Sequence, residues 1–194
     1  MVPASLIADP GWLDAQLTAT RRWYRLEDRP TTGVLWWYSA SSALLGPAVA
    51  SFDPGLDCLT LRVNDHGLVL DARSDTALSD PAKLARRIEE LLSTCIRCVA
   101  TASGASSRAL WAIATDSLAN RVLWAGGTPS VAERLAASVG PQLPTPRYVT
   151  VSGRLVVRRA SCCLIYRAPD QTKCVSCPRQ TPEARLRRLN ESGG

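Results

Sequence analysis

The sequence predicts an α+β fold that is mainly helical: a helical body with two β-hairpins, followed by a C-terminal lobe that carries four cysteines. Three observations lead there. Apolar residues recur at helical spacing in successive segments. Two short runs alternate at period two around turn residues. Four of the seven cysteines fall between positions 162 and 177. At 194 residues the chain is long enough for one domain with a buried core and a small appendage. Its 46% hydrophobic and 21% charged content are those of an ordinary globular protein.

Residues 11–29 place Trp12, Leu13, Leu17, Trp23 and Tyr24 at helical spacing, with Asp9 or Asp14 near the start. Thr31 or Thr32 is expected to cap a second helix to about Ser51. The stretch from Gly33 to Ser51 is the longest apolar run, but serines and Pro47 interrupt it. A core helix is therefore expected there, with no membrane span. Asp53-Pro54-Gly55 reads as a turn. Cys58 to Val63 alternates as a strand, Asn64-Asp65-His66-Gly67 turns, and Leu68 to Leu70 returns as the second strand of a hairpin. This assigns Cys58 to a strand and His66 to a turn.

Ser79-Asp80-Pro81 opens a helix whose apolar stripe runs Leu84, Ile88, Leu91, Cys95, Val99 and which Gly104 ends. Cys95 and Cys98 fall on nearly one face of it, well inside the helix. They are assigned to the core as small hydrophobes, since a reactive pair would need a helix N-terminus to lower its thiol pKa. A further helix runs from Ser106/Ser107 to Gly126-Gly127, and a short one from Ser130 to about Val139. Tyr148 to Val157 reads as a second hairpin turning at Ser152-Gly153, leading straight to the first cysteines. Thr181-Pro182-Glu183 starts a terminal amphipathic helix through about Leu189. The expected division is a helical body, 1–147, that would hold any ligand pocket, and a lobe, 148–194, made of hairpin, cysteine site and basic terminal helix.

Charge is divided unevenly. Residues 1–152 carry 14 basic and 14 acidic groups, whereas residues 153–194 carry nine basic and three acidic, so the whole net charge of +6 lies with the cysteines. A solvated basic tail would account for this. So would a field that draws in an acidic electron donor or an anionic ligand and offsets the charge of thiolates. Nucleic acid is not an expected partner, because only Tyr148 and Tyr166 are nearby for stacking. Met1 to Pro10 has no basic start or long apolar run, so no secretory signal is expected and the compartment reads as reducing. Seven cysteines there point to metal or redox chemistry. No glycine-rich phosphate loop follows a strand, so electrons would come from an external donor such as a ferredoxin or a reductase.

The cysteines read Cys162-Cys163, ten residues, then Cys174-Val175-Ser176-Cys177. Adjacent residues of a strand point to opposite faces, so both thiols of the first pair reach one centre only if the backbone turns there. Ala168-Pro169-Asp170-Gln171 would reverse the chain and return the second pair. Spacing alone leaves three readings open: a [2Fe–2S] cluster on four thiolates, a structural zinc, or two disulfides. A single histidine in the chain excludes a Rieske site and a histidine-rich catalytic zinc.

From Arg158 to Cys177 the order is an Arg-Arg pair, a small residue, Ser, Cys-Cys-Leu, an aromatic two residues on, and Cys-x2-Cys after the ten-residue gap. This resembles the C-terminal signature of the FhuF-like ferric-siderophore reductases, over about a tenth of the chain. The resemblance implies a [2Fe–2S] cluster on Cys162, Cys163, Cys174 and Cys177. It implies one-electron reduction of a ferric siderophore and release of Fe(II), in the cytoplasm or at the inner face of the membrane. Arg158 and Arg159 become candidates for tuning the cluster or docking a donor. Trp36, Trp37, Tyr38, Trp111 and Trp124 are candidates for a ligand pocket. The alternatives are a ferredoxin-like carrier, an iron–sulfur redox sensor, or a zinc-binding interaction protein.

Overall fold

A computed structural model describes residues 1–191, so the last three residues of the expected lobe lie outside the described chain. Helix α1, Pro10–Tyr24, starts where Asp9 accepts the Trp12 N–H at 2.7 Å and Pro10 presets the first turn. It stops at Tyr24, short of residue 29. Arg25 takes a left-handed conformation, with φ of 51°, which frees Leu26 to pack elsewhere. Helix α2, Arg29–Val49, is capped by Asp28, whose carboxylate accepts both the backbone N–H and the hydroxyl of Thr31 at 2.7 and 2.9 Å. Thr31 and Thr32 are therefore not the cap. They lie buried in the first turn behind Asp28, the stronger acceptor.

Helix α2 is buried along most of its length and forms the axis of the body. It packs against α3, Pro81–Ser103, and α4, Ser107–Trp124, with α5, Pro129–Val139, against α3 and α4. Trp36 and Trp37 are fully enclosed on α2. Their indole N–H groups donate to Gly67 O and Leu110 O, both at 2.8 Å, so each ring fills the core with its polar tip satisfied. Cys95 lies in the same core and half-buried Cys98 borders it, as expected.

A small antiparallel sheet covers one side in the order β1 (Val2–Pro3), β2 (Thr60–Val63), β3 (Val69–Arg73), with Leu61 opposite Ala72. The two-residue β1 is too short to leave a sequence pattern. Cys58 falls in the turn before β2, which corrects the strand assignment. The N–H groups of Cys58 and Leu59 both donate to Gly55 O, at 2.9 and 3.0 Å, and so are withheld from the ladder. His66 is in its turn and stacks on Trp23, centroids 3.5 Å apart.

The second hairpin pairs β4, Tyr148–Val151, with β5, Arg154–Val157. Ser152 and Gly153 both have positive φ, the geometry that matches the twist of hairpin strands. Helix α6, Pro182–Glu191, returns against β4 and buries Leu189.

Candidate functional site

Beyond β5 the chain runs against α4 at a buried carboxylate. Asp116 accepts the backbone N–H groups of Ala160 and Ser161 at 3.0 and 3.2 Å. It also faces Arg159 Nε at 3.7 Å, with the two side chains only 4% and 2% exposed. Burial pushes the Asp116 carboxyl above the usual carboxylate range, while the two N–H groups and Arg159 pull it back. Helix α4 thus clamps the chain immediately before the cysteines.

Arg159 is the hub of the site. Its guanidinium lies 4.6 Å over the Tyr38 ring. Its Nη1 is 3.3 Å from Cys174 Sγ and 3.9 Å from Cys163 Sγ. Its Nε and Nη2 are buried without a hydrogen-bond partner among the described residues.

Two separate turns bring the cysteine pairs to this cation. Leu164 is left-handed, with φ of 61°, and a 3-10 turn, Ile165–Arg167, follows. The Leu164 N–H points at Cys162 Sγ at 3.4 Å, and the Ile165 N–H serves Cys163. That is the backbone turn adjacent cysteines need if both are to face one centre. The second pair sits on a tight turn closed by Cys177 N–H to Cys174 O at 3.0 Å. Gln180 donates to Cys174 O and Val175 O at 2.9 and 3.0 Å. Arg188 on α6 donates to Lys173 O at 2.6 Å, so α6 holds this turn in place.

The thiols form one run of contacts. Cys162 Sγ and Cys177 Sγ are 3.6 Å apart, and Cys163 contacts both Cys162 and Cys174. No disulfide links them, since all seven cysteines are free. Two thiolates on one tetrahedral metal at about 2.3 Å stand roughly 3.7 Å apart, so the separation suits ligands of a shared ion. Contacts with Cys162 and Cys174 pull the Cys163 thiol down; contact with Cys163, together with burial, pushes Cys162 and Cys174 up.

Among the described residues no three or more His, Cys, Asp or Glu close around a single-ion position. A two-iron centre takes its four protein ligands two to an iron. Four thiols in one run of contacts, beside a buried cation with donors unpartnered among the described residues, fit such a group. An apolar seal of Leu26, Leu35, Cys163 and Ala168 closes the inner side, with Tyr24, Ile165 and Cys174 against it. Arg167 donates to Thr31 Oγ1 at 2.8 Å, and Arg25 pairs with Asp170, fastening the lobe to the α1–α2 corner.

The structure separates the other sequence candidates. Arg158 is exposed, its backbone N–H bonded to Arg147 O at 2.8 Å, so only Arg159 of the pair reaches the thiols. Trp36 and Trp37 belong to the core, where the fit of α2 against its neighbours encloses them. Trp111 borders a different cavity, with Ile96 and Gln142. Tyr38 and Trp124 both line one groove, of about 380 Å³, which Ile165 and Arg121 also line. A cavity of about 530 Å³ lined by Arg21, Arg22, Arg25 and Arg29 lies at the α1–α2 corner. Arg21, Arg25 and Arg29 are spent on carbonyl oxygens and on Asp170 and Asp14. Sequence reasoning missed Asp116. Its one signal was a lone carboxylate in an otherwise apolar and small-residue stretch of helix, Leu110 to Ala119.

Residues 159–179 match the FhuF 2Fe-2S C-terminal domain. No curated protein matches the chain. The matched segment starts at Arg159 and includes both cysteine pairs. It indicates a [2Fe–2S] cluster as the cofactor.

Proposed function

We propose that the protein is a ferric-siderophore reductase whose [2Fe–2S] cluster is held by Cys162, Cys163, Cys174 and Cys177. One observation carries this reading: within the matched segment, two cysteine pairs from unrelated turns converge beside the buried guanidinium of Arg159. Siderophores hold Fe(III) through hard oxygen ligands much more tightly than Fe(II), so one added electron loosens the chelate and lets the iron leave. A bound [2Fe–2S] cluster supplies electrons one at a time.

The chain's own residues set the conditions. Arg159 places a positive charge and a donor at the sulfurs of Cys174 and Cys163. Asp116 and Tyr38 hold that guanidinium in place, and their burial keeps it oriented. Leu26, Leu35 and Ala168 keep water from the Cys163 side. Arg158, on the surface, is a candidate contact for an external donor such as a ferredoxin or a reductase. The proposed location is the cytoplasm; among the described residues no helix is long and apolar enough to cross a membrane.

The test is expression without air, followed by visible spectroscopy and iron, sulfide and zinc analysis. The expected protein is red-brown, holds about two irons and two sulfides per chain, and releases Fe(II) from a ferric siderophore after reduction. A colourless, zinc-bearing protein overturns the reading. A cluster-bearing protein that reduces no ferric chelate is a carrier or a sensor.

A further inference from the structure

We infer that the surface over the turn from Cys174 to Cys177 is the docking face of the electron donor, and that the donor is an acidic protein with a one-electron centre near its own surface. This rests on the reductase reading and names its partner.

The cysteine site is closed toward the body and open at this turn. Leu26, Leu35 and Ala168 seal the inner side, and Arg159 with Asp116 fills the side toward α4. Cys163 and Cys177 are 2% and 1% exposed, whereas Cys162 and Cys174 are only half-buried. The turn itself reaches the surface. Val175 and Ser176 at its tip are half-buried, and Lys173 and Arg179 on either side are exposed. A protein resting there lies against the backbone that carries two of the four sulfurs.

Cations surround the turn. Lys173 Nζ donates to Arg179 O at 3.0 Å, and Arg188 Nη1 donates to Lys173 O at 2.6 Å, so the turn, its flanks and α6 form one continuous patch. Arg185 lies one turn before Arg188 on the same helix. With Arg187 these make five basic groups between residues 171 and 191, against Glu183 and Glu191. The side chains of Lys173, Arg179, Arg185 and Arg187 pair with no carboxylate among the described residues. On the body the pattern is the reverse: Arg87 meets Asp53 and Asp57, Arg29 meets Asp14, and Arg73 meets Asp71. Positive charge left uncompensated on one face attracts an acidic protein, orients it and speeds its encounter.

The layout suits a carrier protein. The cations are spread over a turn and a helix, around a small uncharged tip of Val175 and Ser176. An uncharged centre with a charged rim is the pattern of a modest, transient interface, the kind that electron carriers use. One electron passes from the reduced carrier to the centre that the four cysteines hold. The carrier is oxidised by one, that centre is reduced by one, and no atom is transferred.

The probe is a plant-type [2Fe–2S] ferredoxin, a small acidic one-electron carrier. Its oxidised form is titrated calorimetrically into the cluster-bearing protein at low and at high salt, so binding is read apart from turnover. Three proteins are compared: wild type, Arg179→Glu with Arg185→Glu, and Arg86→Glu with Arg97→Glu. Arg86 and Arg97 are exposed on α3, which packs on the other body helices, so the second pair makes the same charge change away from the lobe. The expected result is binding that salt weakens, and that the Arg179/Arg185 pair weakens by about tenfold or more while the visible spectrum is kept. The α3 pair should change it far less. Where the paired reversal disturbs the lobe, the neutral Arg179→Gln should still weaken binding. Equal weakening by both pairs overturns the face, since net charge alone would then act. No binding, or binding that salt does not weaken, overturns the partner class. Preference for phosphatidylserine vesicles over ferredoxin, lost in the Arg179/Arg185 pair, gives the face to a membrane surface and overturns the donor. Failure of the reductase reading looks different: ferredoxin docks here and passes its electron, but no ferric chelate is then reduced.

Discussion

The chain contains two Cys-x2-Cys pairs with the same spacing and opposite surroundings. Cys95 and Cys98 sit inside α3, where Cys95 has no exposed surface and burial pushes its thiol up. Cys174 and Cys177 sit on a tight turn, facing a second pair of cysteines and the Arg159 guanidinium. In α3 every backbone group is spent on the helix and the face is that of the core, so sulfur acts as a small hydrophobe. In the turn, the backbone is bent to aim sulfurs at one place, and a cation lies 3.3 Å from Cys174 Sγ. Spacing makes a pair possible; conformation and surroundings decide whether it is suited to a metal.

The sharpest way to break this contrast is to exchange sulfur for oxygen in each pair. Cys174→Ser is expected to abolish the visible chromophore, whereas Cys98→Ser keeps the absorption spectrum and iron content of the parent. Loss of colour in both would erase the distinction. Next in size is the clamp that aims the second site. Asp116→Ala leaves Arg159 buried without its carboxylate and two backbone N–H groups without an acceptor, at a cost of about 3 kcal/mol. For a chain of this size that is a fall in Tm of roughly 6–12 °C, read by thermal melting.

The cation itself gives a smaller, more specific effect. Arg159→Gln removes a positive charge beside Cys174 and Cys163, so adding an electron becomes less favourable and the midpoint potential falls. The expected shift is on the order of 60 mV, a tenfold change in a one-electron equilibrium. Spectroelectrochemical titration measures it, and Arg159→Lys should recover part of it. An unchanged potential in Arg159→Gln would leave the guanidinium with a packing role alone.

The smallest effect lies in the helical pair. The Cys95 thiol is raised in the folded protein, so above its ordinary value of 9.0 the unfolded chain loses a proton that the folded chain keeps. Stability then falls as pH rises past 9, by about 1 kcal/mol near pH 10. Denaturant melts at pH 8 and pH 10 should show this extra loss in the parent and not in Cys95→Ala.

Much of the fold was readable because its signals are local. Asp80 before Pro81 and Gly104 after Ser103 mark both ends of α3, and Ser152-Gly153 marks the second hairpin. What was not readable depended on partners distant in the chain. Helix α1 stops at Tyr24 because Leu26 is needed against Cys163 and Ala168. Trp36 and Trp37 looked as suited to a pocket as Tyr38, since all three are aromatics in one helix. The packing of α2 turned two of them inward and left Tyr38 at the groove beside Arg159. Arg158 and Arg159 looked interchangeable until the buried carboxylate on α4 distinguished them.

By itself the sequence determined the inventory of the site: four thiols of fixed spacing, a lone histidine too few for other sites, and a net positive charge confined to the same segment. These are covalent or short-range properties and survive any folding of the body. Tertiary structure alone decided that the two pairs meet, that Arg159 is the cation between them and Asp116 its anchor, and that Tyr38, Arg121 and Trp124 form a groove alongside. Each of these depends on how α2 and α4 pack against a loop far along the chain, and packing of that kind leaves no periodicity for a sequence to display.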